Sequence, residues 1–106
     1  MGSEDRNKLT RSLSITPAVR GRVLDRDGGK CVLCGAVYGL QCAHYIGRGQ
    51  SGKGTEKNLV TLCVDCHRAY DQSAERERIR RELSDYLRDK YNDWDERALV
   101  YHKWED

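Results

Sequence analysis

Cys31-Val32-Leu33-Cys34 and Cys63-Val64-Asp65-Cys66 decide the fold of this chain. They are two Cys-x2-Cys turns of equal spacing, with 28 residues between Cys34 and Cys63. Each turn can aim two thiolates at one ion, and two turns together complete a closed, tetrahedral zinc site of the structural type. The intervening segment is longer than compact zinc patterns need, which leaves room for a two-stranded hairpin. A redox pair is the alternative, although thioredoxin-type pairs come singly, before a helix in a larger α/β fold. Another alternative puts His67, directly after Cys66, in place of one thiolate. Cys42 is left over and reads as a small buried hydrophobe.

Outward from the knuckles, Leu40 to Ile46 and Leu59-Val60-Thr61-Leu62 read as short strands, and Val64 to Asp71 as a helix. Gly47 to Lys57 is a glycine-rich, basic loop between the strands. Upstream, Thr16-Pro17 is a helix start, with a hydroxyl to cap free N–H groups and then a residue that lacks one. Val19, Val23 and Leu24 make an apolar stripe, and Gly28-Gly29 ends the helix. Downstream, Ser73 to about Lys90 is a charged helix with Ile79, Leu83, Tyr86 and Leu87 on the face toward the core. Arg76, Arg78, Arg80, Arg81 and Arg88 read as a solvated face with pairs such as Glu77–Arg81, phosphate contact being the alternative. Trp94, Leu99, Val100, Tyr101 and Trp104 read as a cap folded back on the core. The expected organisation is a mobile polar arm over 1–14, a core over 15–72 and a helical extension over 73–106, in a small α+β fold.

Composition bounds the function. The 106 residues are 38% hydrophobic and 34% charged, with no Phe and one Pro, enough for one domain with a thin core. Five cysteines without a secretory signal argue against a disulfide framework and for metal or catalysis. No stretch approaches the roughly 18 apolar residues of a membrane span, so a soluble, cytoplasmic protein is expected. The formal charge of +2 excludes a strongly basic nucleic-acid binder as a global average. Residues 1–57 nevertheless carry ten basic and five acidic side chains, and residues 58–106 nine and twelve. Four zinc-bound thiolates would bring the total close to zero. Any contact with a polyanion therefore depends on local geometry and favours the first half.

His67 and Asp71 are four residues apart on the helix after Cys66, hence on one face. An imidazole and a carboxylate with open positions suit Mg2+ or Mn2+ acting on phosphate. His44, on the first strand, reads equally well as a structural histidine. Gly47-x4-Gly52-Lys53 nearly spells a P-loop, but Gly54 stands where Ser or Thr must hold Mg2+, and a strand follows instead of a helix. What remains is a loop bearing Arg48, Lys53 and Lys57, placed to meet DNA phosphates, with a plain hairpin loop as the alternative.

The order Cys-x2-Cys, Ala43-His44-Tyr45, then Asn58-Leu-Val-Thr-Leu-Cys-x2-Cys-His67 resembles the zinc-stapled HNH endonucleases over about residues 17–72, including the segment VLDRDGGKC. The resemblance implies a ββα-metal fold: two antiparallel strands and a helix gripping one divalent ion. It implies His44 as general base, Asn58 as the residue that ties down the loop, and His67 as a ligand of the catalytic metal. Asp71 falls where several members carry a second histidine ligand. Many members place Asp or His immediately before the base as a further ligand, and here that position is Ala43. A second alignment would make His44 that ligand and Tyr45 the base. The implied activity is nicking or cutting of double-stranded DNA with Mg2+ or Mn2+, beside a structural Zn2+ on Cys31, Cys34, Cys63 and Cys66. Two copies acting together would convert paired nicks into a double-strand break. The rivals are a non-catalytic zinc-ribbon module that only binds nucleic acid and a zinc adaptor for a protein partner.

Overall fold

A computed structural model describes residues 3–102, with side chains from residue 8 onward; Trp104 lies outside the described residues. The helices are α1 (Ser3–Leu13), α2 (Pro17–Arg26), α3 (Val64–Gln72) and α4 (Arg76–Lys90). The strands are β1 (Leu40–His44) and β2 (Leu59–Cys63), which pair antiparallel with Leu40 opposite Cys63 and His44 opposite Leu59. The fold is thus a small α+β unit with a two-stranded antiparallel sheet, β2 running directly into α3. No helix of the described residues is long and apolar enough to cross a membrane.

The start of α2 follows the predicted chemistry. Thr16 is its N-cap, the hydroxyl oxygen accepting from the Val19 N–H at 3.2 Å, and Pro17 occupies the first turn. Gly28 and Gly29 then take φ values of +73° and +69°, a left-handed pair that turns the chain into the first knuckle. Of the apolar stripe, Val23 is buried, but Leu24 is exposed. Strand β1 stops at His44, two residues short of the expected Ile46, and α4 begins at Arg76 instead of Ser73. The Ser73 hydroxyl donates to the Ala69 carbonyl and its oxygen accepts from the Glu75 N–H, so residues 73–75 form the turn between α3 and α4.

Both faces of the sheet are covered, and every residue of β2 is buried. One core joins Ala43, Tyr45, Val60 and Leu62 to Tyr70 of α3, to Ile79, Leu83 and Leu87 of α4, and to Trp94 and Leu99 of the tail. The expected core face of α4 and the expected cap therefore hold. The solvated arginine face holds in part, with Arg78, Arg81 and Arg88 exposed. Arg76, Arg80 and Arg88 lie over the rings of Tyr70, Tyr45 and Trp94, with guanidinium-to-centroid distances of 4.6, 5.0 and 5.1 Å. In a core without Phe, Tyr and Trp present ring faces at its border, and planar guanidinium groups cover them. Arg78 pairs with Glu75 and Glu82 in the manner expected of an exposed face. Glu77–Arg81 is absent from the ion pairs of the described residues.

Residues 3–13, expected as a mobile arm, form helix α1 instead, and its last residue Leu13 is buried. The loop of residues 47–57 is short-turned, with 3-10 turns at Arg48–Gln50 and Glu56–Asn58. Both ends of the chain grip it. The Gly54 N–H donates to the Ser12 carbonyl at 2.9 Å, the Lys53 N–H to Leu99 at 2.7 Å, and the Tyr101 N–H to Ser51 at 2.8 Å.

Candidate active site

The two knuckles converge. The sulfur atoms of Cys31, Cys34, Cys63 and Cys66 lie within 4.8 Å of one another, and those of Cys34 and Cys63 are 3.6 Å apart. Tetrahedral zinc with Zn–S bonds of about 2.3 Å holds its sulfurs about 3.8 Å apart, so this donor set fits a zinc ion. The first knuckle is closed by the Cys31 N–H donating to Ala36 and the Gly35 N–H donating to Cys31. In the second, Cys63 caps α3, its sulfur accepting from the Cys66 N–H at 3.4 Å. Burial opposes ionisation of Cys31, yet backbone hydrogen bonds from Cys34, Cys63 and Leu33 outweigh it and bring the thiol down to about 7. Burial, and then the neighbouring sulfurs, push Cys66 up. His67 takes no part in this cluster, which removes the mixed cysteine–histidine arrangement. Cys42, at the middle of β1, is half-buried, less than expected, and lines an open depression; burial still pushes its thiol up.

Beneath the knuckles, Asp27 is held by four donors. Arg26 Nε and Nη2 donate to Oδ1 and Oδ2 at 2.7 and 3.0 Å, the Thr61 N–H to Oδ2 at 2.8 Å, and the Tyr86 hydroxyl to Oδ1 at 2.5 Å. Burial would raise this carboxyl, but the hydrogen bonds from Arg26 and Tyr86 overcome it and hold the group below its ordinary range. Arg26 also donates to the carbonyls of Glu56 and Leu59 and to the Tyr91 hydroxyl. This node ties α2 to β2 and to the C-terminal extension. Sequence reasoning noted its segment but assigned it no role; adjacent opposite charges before two glycines are the signal that was available.

Asn58 is fully buried and clamps the loop. Its Nδ2 donates to Ile46 and Lys53 carbonyls at 3.0 and 2.8 Å, and its Oδ1 accepts from the Ile46 N–H at 2.8 Å. The clamp leaves no space at Gly52, where a Cβ would sit 1.7 Å from the Ile46 carbonyl oxygen.

His44, at the end of β1, is half-buried with Nε2 3.0 Å from the Leu13 carbonyl oxygen. A carbonyl only accepts, so neutral His44 carries its proton on Nε2 and offers Nδ1 as the basic nitrogen. Burial lowers its pKa, the Leu13 carbonyl raises it, and the charges of Arg48 and His67 lower it; the net shift is downward. His67 on α3 has Nδ1 2.7 Å from Gln41 Oε1 and Nε2 3.5 Å from Asp71 Oδ2. Gln41 thereby fixes the tautomer that turns the Nε2 lone pair toward the Asp71 side, the way an outer hydrogen bond orients a metal-ligating imidazole. Sequence reasoning missed Gln41, a lone polar residue on a strand with no pattern to mark it. Nε2 and the Asp71 carboxylate could hold a hard cation between them. Among the described residues the cysteine cluster is the sole convergence of three or more such donors, so that cation would take its remaining ligands from water or phosphate.

The alternative alignment fails on geometry. Tyr45 is buried, its hydroxyl bonded to Glu96, and Ala43 is buried in the core. Of the loop cations, Arg48 is exposed and close enough to His44 to bias it electrostatically. Lys53 is fixed through its backbone to Leu99. Lys57 points to the C-terminal extension, with Nζ 2.8 Å from Asp93 and over the Tyr91 ring. An open depression beside His67 is lined by Ile15, Arg20, Leu40, Gln41 and Cys42.

Residues 31–73, less than half of the chain, match a family model described as HNH endonuclease. No curated protein matches the chain.

Proposed function

We propose that residues 31–73, which match a family model described as HNH endonuclease, form such a domain, and that the chain hydrolyses phosphodiester bonds of double-stranded DNA, with His44 as general base. The observation that carries this reading is the His44–Leu13 contact, which leaves Nδ1 as a basic nitrogen within electrostatic reach of His67. A water gives its proton to His44 Nδ1. Its oxygen bonds to phosphorus as the bond from phosphorus to the 3′ oxygen breaks, and the leaving oxygen takes a proton from solvent water, giving a 5′ phosphate and a 3′ hydroxyl. His67 and Asp71 would hold Mg2+ or Mn2+, which supplies Lewis-acid stabilisation of the charged phosphate and the leaving oxygen. Asn58 keeps the loop closed, so that Arg48 stands at one edge of the centre. Arg20 offers a second cation at the other edge, where a flanking phosphate would lie.

Plasmid nicking with Mg2+ or Mn2+ tests the reading against a module that only binds nucleic acid. Wild type is expected to nick, and His44→Ala and His67→Ala to lose metal-dependent turnover while still binding DNA. A wild-type chain that binds DNA but is as inert as His44→Ala would refute it.

A further inference from the structure

We propose that helix α1 is a working part of the active site: the Leu13 carbonyl at its end holds His44 in the Nε2-protonated form, making Leu13 a positioning residue. The catalytic half of this inference rests on the nuclease reading above; the structural half does not.

The last carbonyls of a helix have no intrahelical donor, so that of Leu13 is free to accept from a side chain. The approach is built rather than incidental. Leu13 is 7% exposed yet stands outside the main core cluster, so its buried side chain anchors the end of α1. The neighbouring Ser12 carbonyl accepts from the Gly54 N–H. A Cβ at Gly54 would lie 2.1 Å from the Ser14 carbonyl oxygen and 2.9 Å from that of Leu13. Only glycine permits that approach, because the atoms it meets are backbone. A continuous path follows: Asn58 holds the Lys53 carbonyl, Gly54 comes next and holds Ser12, and the next residue, Leu13, holds His44. The same helix end carries a partial negative charge, which stabilises the imidazolium formed once Nδ1 has taken a proton. The general base is therefore oriented from outside the matched residues 31–73.

The test uses the full-length, zinc-loaded chain with 15N-labelled histidine, reading the ring tautomer of His44 by NMR and DNA turnover in parallel. Gly54→Ala forces residues 12–14 away, and Leu13→Asn weakens the same seam without touching the loop, should the first variant fold poorly. Wild type is expected to show Nε2-protonated His44. The variants should show a mixture of tautomers and a kcat lower by roughly tenfold or more, with KM for DNA unchanged. A wild-type His44 protonated on Nδ1, or folded variants that keep both tautomer and turnover, would overturn the proposal. Turnover lost in His44→Ala but kept in Gly54→Ala sinks this inference alone. A fixed tautomer in a wild type that never turns over sinks the nuclease reading and the catalytic half of this one with it.

Discussion

Replacing Asp27 by alanine removes the acceptor of four hydrogen bonds while leaving their donors in place. Hydrogen bonds to a charged group are worth about 1.5–3 kcal/mol each, a gross loss of about 6–12. The net cost is smaller, because Arg26 keeps the Glu56 and Leu59 carbonyls and the Tyr91 hydroxyl, and its side chain is 13% exposed. The Thr61 N–H has no such recourse inside the sheet. Breaking one side of a buried ion pair costs about 3–5 kcal/mol, and that is the expected loss. Set against the roughly 5–15 kcal/mol that holds a domain together, it leaves a marginal protein. Urea denaturation of zinc-loaded wild type and Asp27→Ala, followed by the fluorescence of Trp94 against Tyr45, measures it. Asp93→Ala serves as contrast: it breaks an exposed pair with Lys57 and should leave the midpoint almost unmoved. A loss below about 1 kcal/mol for Asp27→Ala would show that the node does not bind α2, β2 and α4 together.

Further outcomes follow from the same geometry. Metal analysis is expected to give one zinc per chain, and Cys31→Ser to abolish folding; zinc retained in a folded variant would contradict the four-thiolate site. Since the folded pKa of His44 lies below its ordinary value of ~6.5, the base is neutral at pH 7, and kcat/KM should fall only as pH drops through that lowered value. Stability moves in the same direction: the His44 contribution is whole above ~6.5 and is lost as acid protonates the unfolded chain first. An acid limb centred above 7 would refute the assignment. Asp71→Asn should raise the Mg2+ or Mn2+ needed for half-maximal turnover more than it changes the rate at saturating metal, and a metal titration of nicking measures it.

The sequence reading reached farthest where the chemistry is carried by side chains at fixed spacing. The paired cysteines, the capped start at Thr16-Pro17, the face Ile79-Leu83-Leu87 and the order of the elements could all be read in advance. So could the fixed loop, because a fully buried Asn at 58 makes hydrogen bonds its position in the motif implies. What escaped was carried by the backbone or by pairings between distant segments. Leu13 acts through a carbonyl, which every residue has. A polar run such as Ser3–Leu13 gives no periodic stripe, and a single buried leucine at its end is too little to betray docking. Arg76 and Arg80 looked like solvent-facing charge because the ring faces beneath them belong to Tyr70 and Tyr45, on other elements. The partner of Lys57, Asp93, could not be read in advance because it lies 36 positions away.

The clasp on the loop of residues 47–57 also bears on time. Its hydrogen bonds join positions roughly 40–50 residues apart, to Ser12 on one side and to Leu99 and Tyr101 on the other. Contacts of that span are made after local ones, because the entropy of closing the chain must be met first. The turn at Gly28-Gly29, the knuckles and the hairpin can close on a nascent chain while residues 99–101 are still being added. The outer half of the clasp, Leu99 on Lys53 and Tyr101 on Ser51, cannot. Synthesis thus separates the inner hold on the loop, by Asn58 and Ser12, from the outer one, and the interval between them is set by the distance from Asn58 to Tyr101 along the chain.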